Sequence, residues 1–186
     1  MRVIAGTARG RRLVAPEGPT TRPTPDRVRE ATFNALGSLG VVVDATVLDL
    51  FAGSGAMGIE ALSRGAAGVT FVDVDRQARA AIETNLATCG MGAAATVLAS
   101  PAERYLAEAT RSGTSFDLAF VDPPYDFDDW DELLRALPAE VAVVESGRPV
   151  EAPPGWVELR AKRYGRTHVA ILERDDAPEP ADAGRI

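Results

Sequence analysis

From residue 45 onward, short apolar runs of strand length alternate with longer segments of helical period. The apolar runs are residues 46–51, 69–74, 95–99, 117–121 and 141–145. Between them lie four segments that read as helices: one opens at the glycines of 53–58, runs to about Arg64 and ends at Gly65, and the others span 76–89, 102–111 and 130–137. In 76–89, Ala78, Ile82 and Leu86 recur every fourth residue and so fall on one helix face. Strands alternating with helices at this spacing predict an α/β fold, a parallel sheet covered by helices on both faces. After the turn at Pro153-Pro154-Gly155, residues 156–162 and 167–173 read as a hairpin around Tyr164-Gly165. The expected sheet is therefore seven-stranded and mostly parallel, with an antiparallel pair at its edge.

Residues 1–24 break this pattern. They are rich in Gly, Arg, Pro and Thr and show no sustained period. We expect a short strand at 2–5, a basic turn through 6–12, and an extended segment at 20–24. Thr24 then serves as N-cap and Pro25 as first residue of a helix that runs to about Leu36 and stops near Gly37. Val28, Phe33 and Leu36 are available for its buried face, and Asn34 and Phe33 are placed to line a pocket, although Phe33 suits the core. Arg27 and Arg29 fit a helix surface as well as a ligand, and the whole arm is expected to fold over the mouth of the main domain.

Charge sharpens the view of this arm. The 186-residue chain has a net charge of −7, but residues 1–30 carry seven arginines against Glu17, Asp26 and Glu30, a local +4 that leaves −11 on the rest. One basic surface on an acidic body is the electrostatic footprint of a nucleic-acid partner, and equally of a solvated arginine-rich start. The lone Cys89 excludes an internal disulfide framework, and with the single His168 it is too little for a structural zinc site. No apolar run approaches the roughly 18 residues that span a bilayer, and no secretory signal core is present, so no membrane partner and a cytoplasmic location are expected. Residues 175–186, rich in Asp, Pro and Ala, are expected to form a disordered acidic tail.

Two loops carry the candidate chemistry. The first follows the first strand: Asp49-Leu50-Phe51-Ala52-Gly53-Ser54-Gly55-Ala56-Met57-Gly58 contains G-x-G-x-x-G between a strand and a helix. Glycines there allow a tight turn and close approach of backbone to ligand. Asp73, at the end of the second strand, is placed for a ribose hydroxyl pair. On these facts NAD and S-adenosylmethionine both fit, and a purely structural glycine turn is a third reading. Asp49, four residues before the first glycine, favours S-adenosylmethionine, because a carboxylate suits an ammonium and repels a pyrophosphate. The chain also lacks the second half of a six-stranded dinucleotide fold. Asp75 reads as a helix N-cap, and Ser100-Pro101-Ala102 would lie near the adenine, where Pro101 has no N–H and the contact must come from Ala102 N–H or a side chain.

The second loop ends the fourth strand in Asp122-Pro123-Pro124-Tyr125. Consecutive prolines fix the backbone and lift it out of the sheet. A carboxylate acceptor, a proline-fixed carbonyl and an aromatic platform together suit a flat ring that carries an amine. His168, Trp156 and Tyr105 read as structural.

DLFAGSGAMGIEAL, then VDVD, then FVDPPY resembles the pattern of class I S-adenosylmethionine-dependent methyltransferases that act on exocyclic amines. The opening RVIAGTARGRRL, followed by P-x-G-x-x-TRPTPDRVREATFNAL, narrows the resemblance to the bacterial RsmD family, which methylates N2 of one guanine in small-subunit (16S) ribosomal RNA. The resemblance covers residues 2–174 and departs from the family at Pro101, where relatives often carry a polar residue. It implies a Rossmann-like methyltransferase domain at 39–174 behind a basic RNA-contacting arm and helix at 1–38. It further implies cofactor contacts at Asp49, Phe51, Ala52, Gly53, Ser54, Gly55, Asp73, Val74, Ala102 and Asp122, and catalysis by Asp122, Pro123, Pro124 and Tyr125. Arg2, Arg9, Arg11, Arg12 and Arg22 are the phosphate-contact candidates. The implied product is S-adenosylhomocysteine, no metal is needed, and the partner is small-subunit rRNA or the assembled small subunit, met by a monomer. Two alternatives stand beside this reading: a DNA adenine-N6 methyltransferase, for which the chain offers no separate target-recognition domain, and a non-catalytic RNA- or cofactor-binding ribosome assembly factor. An NAD-dependent dehydrogenase would leave D-P-P-Y without a use.

Overall fold

The structure, a computed structural model, describes residues 1–16 and 25–175. Its element order is α1 (Asp26–Leu39), β1 (Thr46–Leu50), α2 (Ala56–Ser63), β2 (Gly68–Val72), α3 (Arg76–Cys89), β3 (Ala95–Leu98), α4 (Ala102–Ser112), β4 (Phe116–Val121), α5 (Trp130–Ala136), β5 (Ala139–Ser146), β6 (Trp156–Tyr164) and β7 (Thr167–Arg174). One seven-stranded sheet has the order β3-β2-β1-β4-β5-β7-β6. The first five strands are parallel and β7 and β6 close the edge antiparallel, as the sequence pattern predicts. The strand order reverses between β1 and β4, which is where such sheets open a crevice at their carboxyl ends.

Two apolar layers hold the sheet. On one face α1, α2 and α3 contribute Phe33, Leu36, Ile59 and Ile82, which pack against Val47, Phe71, Leu118 and Phe120. The other face buries Leu106, Trp130, Leu133 and Leu134 from α4 and α5 against Leu48, Leu50, Ala119 and Val121. Each central strand therefore sends alternate residues to opposite layers and is apolar along nearly its whole length.

The arm differs from expectation. The strand predicted at 2–5 is reduced to a single bridge between Arg2 and Arg12. The reason is a competing acceptor: the backbone N–H groups of Ile4 and Ala5 donate to the two carboxylate oxygens of Glu60, at 2.7 and 3.0 Å. Ser63, the last residue of α2, continues the docking: its hydroxyl donates to Ala5 O at 2.5 Å and accepts from Ala8 N, while its carbonyl accepts from Thr7 N. Gly6 is required there, because a Cβ would lie 1.7 Å from Ser63 O. Residues 4–8 of the arm thus lie along α2, while Met1 and Val14 return to the glycine loop, Met1 Sδ accepting from the Ser54 hydroxyl at 3.8 Å and Val14 sharing Asn85 with Ser54; residues 17–24 fall outside the described residues.

Arg29 is also corrected. It is fully buried, not a helix-surface residue. Its Nη2 donates to Arg2 O at 2.5 Å and to Asp26 Oδ1 at 2.8 Å, and its Nε lies 3.8 Å from Glu60 Oε2. Pro25 is the N-cap of α1, one position later than predicted, because its ψ of 142° is extended. The predicted cap Thr24 and the segment 20–24 fall outside the described residues, as does the tail beyond Asp175. Asp175 itself donates to Gly155 O. The helix continues past Gly37 to Leu39 because Gly40, at φ 74°, supplies the left-handed cap.

Glu60 carries the docking, so Glu60→Ala is expected to destabilise the fold by about 3–5 kcal/mol, since it leaves the N–H groups of Ile4 and Ala5 without their acceptor and the buried Arg29 with Asp26 as its remaining carboxylate. Urea unfolding measures this; a loss below about 1 kcal/mol, the range of an exposed ion pair, would show that the arm is held by something else.

Candidate active site

The crevice is built by register. Leu50 pairs with Val121 across β1 and β4, so the loops that leave these strands, Phe51 onward and Asp122 onward, emerge side by side. One step earlier, Asp49 pairs with Phe120 on one side and Phe71 on the other. On the far flank Val121 pairs with Val144, which places Glu145 next to Asp122. The glycine loop and D-P-P-Y, some seventy residues apart in the chain (Gly53 to Asp122), share one mouth.

In the glycine loop, Gly53 and Gly55 have φ of 54° and 72°, the left-handed backbone that glycine tolerates. Phe51 adopts φ 61° without being glycine, a strained geometry of the kind stored at functional sites. The third glycine is needed for packing: a Cβ on Gly58 would lie 2.4 Å from Phe71 Cε1 and 2.8 Å from Val69 Cγ1. Two carboxylates hold the loop. Asp73 Oδ2 accepts from Gly53 N at 2.8 Å while its Oδ1 accepts from Asp75 N, and buried Asp49 Oδ2 accepts from Gly58 N at 2.9 Å. Burial pushes the Asp49 carboxyl up to about 8; the Gly58 hydrogen bond opposes this and the charge of Asp73 reinforces it. Asp75 caps α3 by accepting from Gln77 N, as its position predicts. Val74 is exposed beyond Asp73, and Ala102 is buried at the first turn of α4.

Across the mouth, Asp122 stands at the rim, Pro123 is buried, and Pro124 and Tyr125 are exposed, Tyr125 by 62%. The surrounding protein raises the Asp122 carboxyl well above its usual range, and the charges of Glu145 and Asp49 add to this. Asp122 keeps an exposed edge, and water there screens part of the effect. Tyr125 packs on Gly147, just past β5, where a Cβ would come within 2.8 Å of its Cδ1. An aromatic row ties the two loops together: Phe51 lies 6.2 Å from Phe127, which meets Trp130 edge-on at 5.2 Å.

Of the arm arginines, Arg2, Arg9, Arg11 and Arg12 are exposed, and Arg22 lies outside the described residues. Arg2 and Arg9 line a cleft with Asp26 and Glu30, and Arg11 sits within electrostatic reach of Cys89 at the last residue of α3, the end of the sheet remote from the mouth. Phe33 is core, its ring 5.5 Å from Phe120.

Three residues escaped the sequence reading. Glu145 faces Asp122 only because of the β4–β5 register. Glu60 looks like one more helix carboxylate. Asn85, wholly buried on α3, accepts from Val14 N at 2.8 Å and donates to Val14 O and Ser54 O, both at 2.9 Å, so one side chain binds the arm to the glycine loop. An asparagine amid the apolar spacing of α3 was the available signal.

A glycine loop after β1 and a D-P-P-Y turn after β4, joined at the reversal point of this sheet, define a class I methyltransferase. Residues 1–173 match the family described as Conserved hypothetical protein 95. The chain is 41% identical to ribosomal RNA small subunit methyltransferase D of Escherichia coli K12, covering 94% of this chain and 90% of that protein. It is 32% identical to the protein of the same name from Haemophilus influenzae, over 89% of each. The solved structure of Escherichia coli yhhF superposes with a TM-score of 0.81 at 40% identity, covering 94% of this chain and 98% of that one. The chain belongs to this family, the RsmD family of methyltransferases.

Gly58→Ala is expected to cost about 1–3 kcal/mol through overpacking against Phe71, and the paired Gly58→Ala/Phe71→Leu change to recover much of it. Thermal unfolding of both variants checks this; equal losses would mean that the glycine is not there for packing.

Proposed function

We propose that the protein transfers a methyl group from S-adenosylmethionine to the exocyclic N2 amine of a guanine in small-subunit (16S) ribosomal RNA. The observation that carries this reading is the Leu50–Val121 register, which puts the cofactor-type glycine loop beside Asp122-Pro123-Pro124-Tyr125. The substrate class rests on the relatives' names, which specify small-subunit rRNA.

The residues present fit the cofactor. Asp49, a buried carboxyl raised to about 8, is a site that a cation stabilises, and Asp73 offers acceptor oxygens at the β2 end for a hydroxyl pair. Gly53, Ser54 and Gly55 supply close backbone, flanked by Phe51, Ala52 and Val74, and Ala102 supplies a backbone donor toward the adenine side. When bound, the cofactor supplies an electrophilic methyl on a sulfonium whose charge favours the ionised form of Asp122.

The N2 lone pair of guanine is delocalised into the ring, so the amine must be turned before it can attack. Asp122 and the Pro123 carbonyl each accept one N–H, which moves the nitrogen toward tetrahedral geometry and aims its lone pair away from the ring. As the N–C bond forms and the S–C bond breaks, the nitrogen becomes acidic and its proton passes to Asp122 or water, leaving N2-methylguanine and S-adenosylhomocysteine. The surroundings that raise the Asp122 carboxyl make it the better acceptor. Tyr125, exposed and backed by Gly147, is a platform for a base turned out of its stack, with stacking worth about 1–3 kcal/mol. No step calls for a metal, and among the described residues no group of three or more His, Cys, Asp and Glu could hold one.

Transfer of labelled methyl to unmodified small subunits, naked small-subunit rRNA and duplex DNA tests this. The expected product is N2-methylguanine in rRNA, with a loss of at least about a hundredfold in kcat for Asp122→Ala while cofactor binding persists. Label in DNA adenine would replace this reading with a DNA methyltransferase, and cofactor binding without transfer would leave a non-catalytic assembly factor.

A further inference from the structure

The proposed reading places a flipped guanine at Tyr125 but leaves open what grips the phosphates on either side of it. Of the described arm arginines, Arg11 lies toward Cys89 at the far end of the sheet, and Arg2 and Arg9 line the cleft with Asp26 and Glu30, so none of these three is placed at the mouth beside Tyr125. A second basic segment does reach it. Residues 156–168 carry Arg160, Lys162, Arg163 and Arg166 against Glu158, a local +3 in a chain of net −7. All four cationic residues are exposed.

Topology decides where they stand. β5 runs parallel to β4, so its end lies at the same mouth as Asp122. β7 runs antiparallel to β5 with Ser146 opposite His168, and β6 pairs with β7 so that Arg163 is opposite His168 and Tyr164 opposite Thr167. The tip of the hairpin, Tyr164-Gly165-Arg166, therefore projects at the carboxyl end of the sheet. Tyr125 packs on Gly147, Gly147 follows Ser146, and from Ser146 two strand spacings of about 4.8 Å each lead to Arg163. The tip is ordered locally: Arg163 Nε donates to Gly165 O at 2.7 Å, and Lys162 Nζ sits 5.3 Å from the Tyr164 ring centroid.

The opposite flank is closed to a polyanion. Asp126, Asp128, Asp129, Asp131 and Glu132 follow D-P-P-Y with no basic residue among them, and all five are exposed. Two cations beside that run are paired with it, Arg148 with Asp128 and Arg135 with Asp131. A phosphate backbone that reaches the mouth is repelled on the α5 side and attracted on the hairpin side.

We infer that the β6–β7 hairpin, through Lys162, Arg163 and Arg166, is a phosphate-binding rim that holds the RNA strand next to the target guanine. This rests on the proposed rRNA reading. Such contacts add affinity and salt dependence without reading sequence.

Filter binding of small-subunit rRNA, measured from roughly 0.05 to 0.3 M salt, compares wild type, Arg163→Gln/Arg166→Gln and the α4 control Arg104→Gln/Arg111→Gln, which removes the same charge elsewhere. The hairpin variant is expected to lose at least about tenfold in affinity at 0.1 M salt. Its plot of log K against log salt should flatten by about 1.4, from about 0.7 per lost single-strand contact, while the control stays within about twofold of wild type. Cofactor affinity and melting temperature report the fold, and Lys162→Gln/Arg166→Gln repeats the test without touching the Arg163–Gly165 hydrogen bond. Equal behaviour of hairpin and control variants would overturn the rim alone. Failure of wild type to bind rRNA would overturn the rim together with the reading beneath it.

Discussion

Carboxyl groups crowded at the ends of neighbouring parallel strands repel one another, and the whole mouth of this protein is organised by that repulsion. Asp49 on β1, Asp122 after β4 and Glu145 on β5 are brought together by strand register, with Asp73 just behind. The sheet gains nothing from this arrangement. Burial, reinforced by the charge of Asp73, raises Asp49 to about 8, and burial with the charges of Glu145 and Asp49 raises Asp122, so a cation at the mouth favours the ionised form of each. Such a site is poorly suited to a pyrophosphate and well suited to a ligand that carries an ammonium and a sulfonium. The same acidity, continued through residues 126–132, steers a nucleic acid toward the hairpin edge.

The loops that carry these groups are fixed from behind. Glu60, one turn into α2, gathers Ile4, Ala5, Arg29 and Arg64, so the arm and α1 are part of the domain's packing and not an appendage. Asn85 extends that packing to Ser54 in the glycine loop. Whatever moves Val14 moves an acceptor of the same asparagine, which gives the arm a physical route to the cofactor loop through one buried side chain. The strained φ of Phe51 and the Phe51–Phe127–Trp130 row show the same economy on the other side of the mouth.

Much of this was legible in the sequence because it is local. Apolar runs and four-residue spacing gave the strands and helices; G-x-G-x-x-G and D-P-P-Y gave the two loops and their chemistry; Gly165 gave the hairpin turn. What escaped depends on pairs distant in the chain. Arg29 reads as a surface residue until Glu60, on another helix, is seen beneath it. The strand at 2–5 fails because a carboxylate outcompetes a partner strand for two N–H groups. Glu145 acquires its place only from the β4–β5 register. The end of α1 moved because Gly37 and Gly40 look alike in sequence, and only Gly40 has the left-handed backbone that stops a helix.

A cationic ligand bound at the mouth should relieve the buried carboxyl of Asp49. Calorimetry of S-adenosylmethionine binding near pH 6.5, in buffers of different ionisation enthalpy, measures it directly. With Asp49 titrating at about 8 in the free protein, it is protonated at that pH and must ionise to meet the ammonium, so the affinity rises with pH toward 8 and binding releases a proton. Wild type should release close to one proton, and the release attributable to Asp49 should be lost in Asp49→Asn. No release from wild type, or the same release from Asp49→Asn, would contradict it.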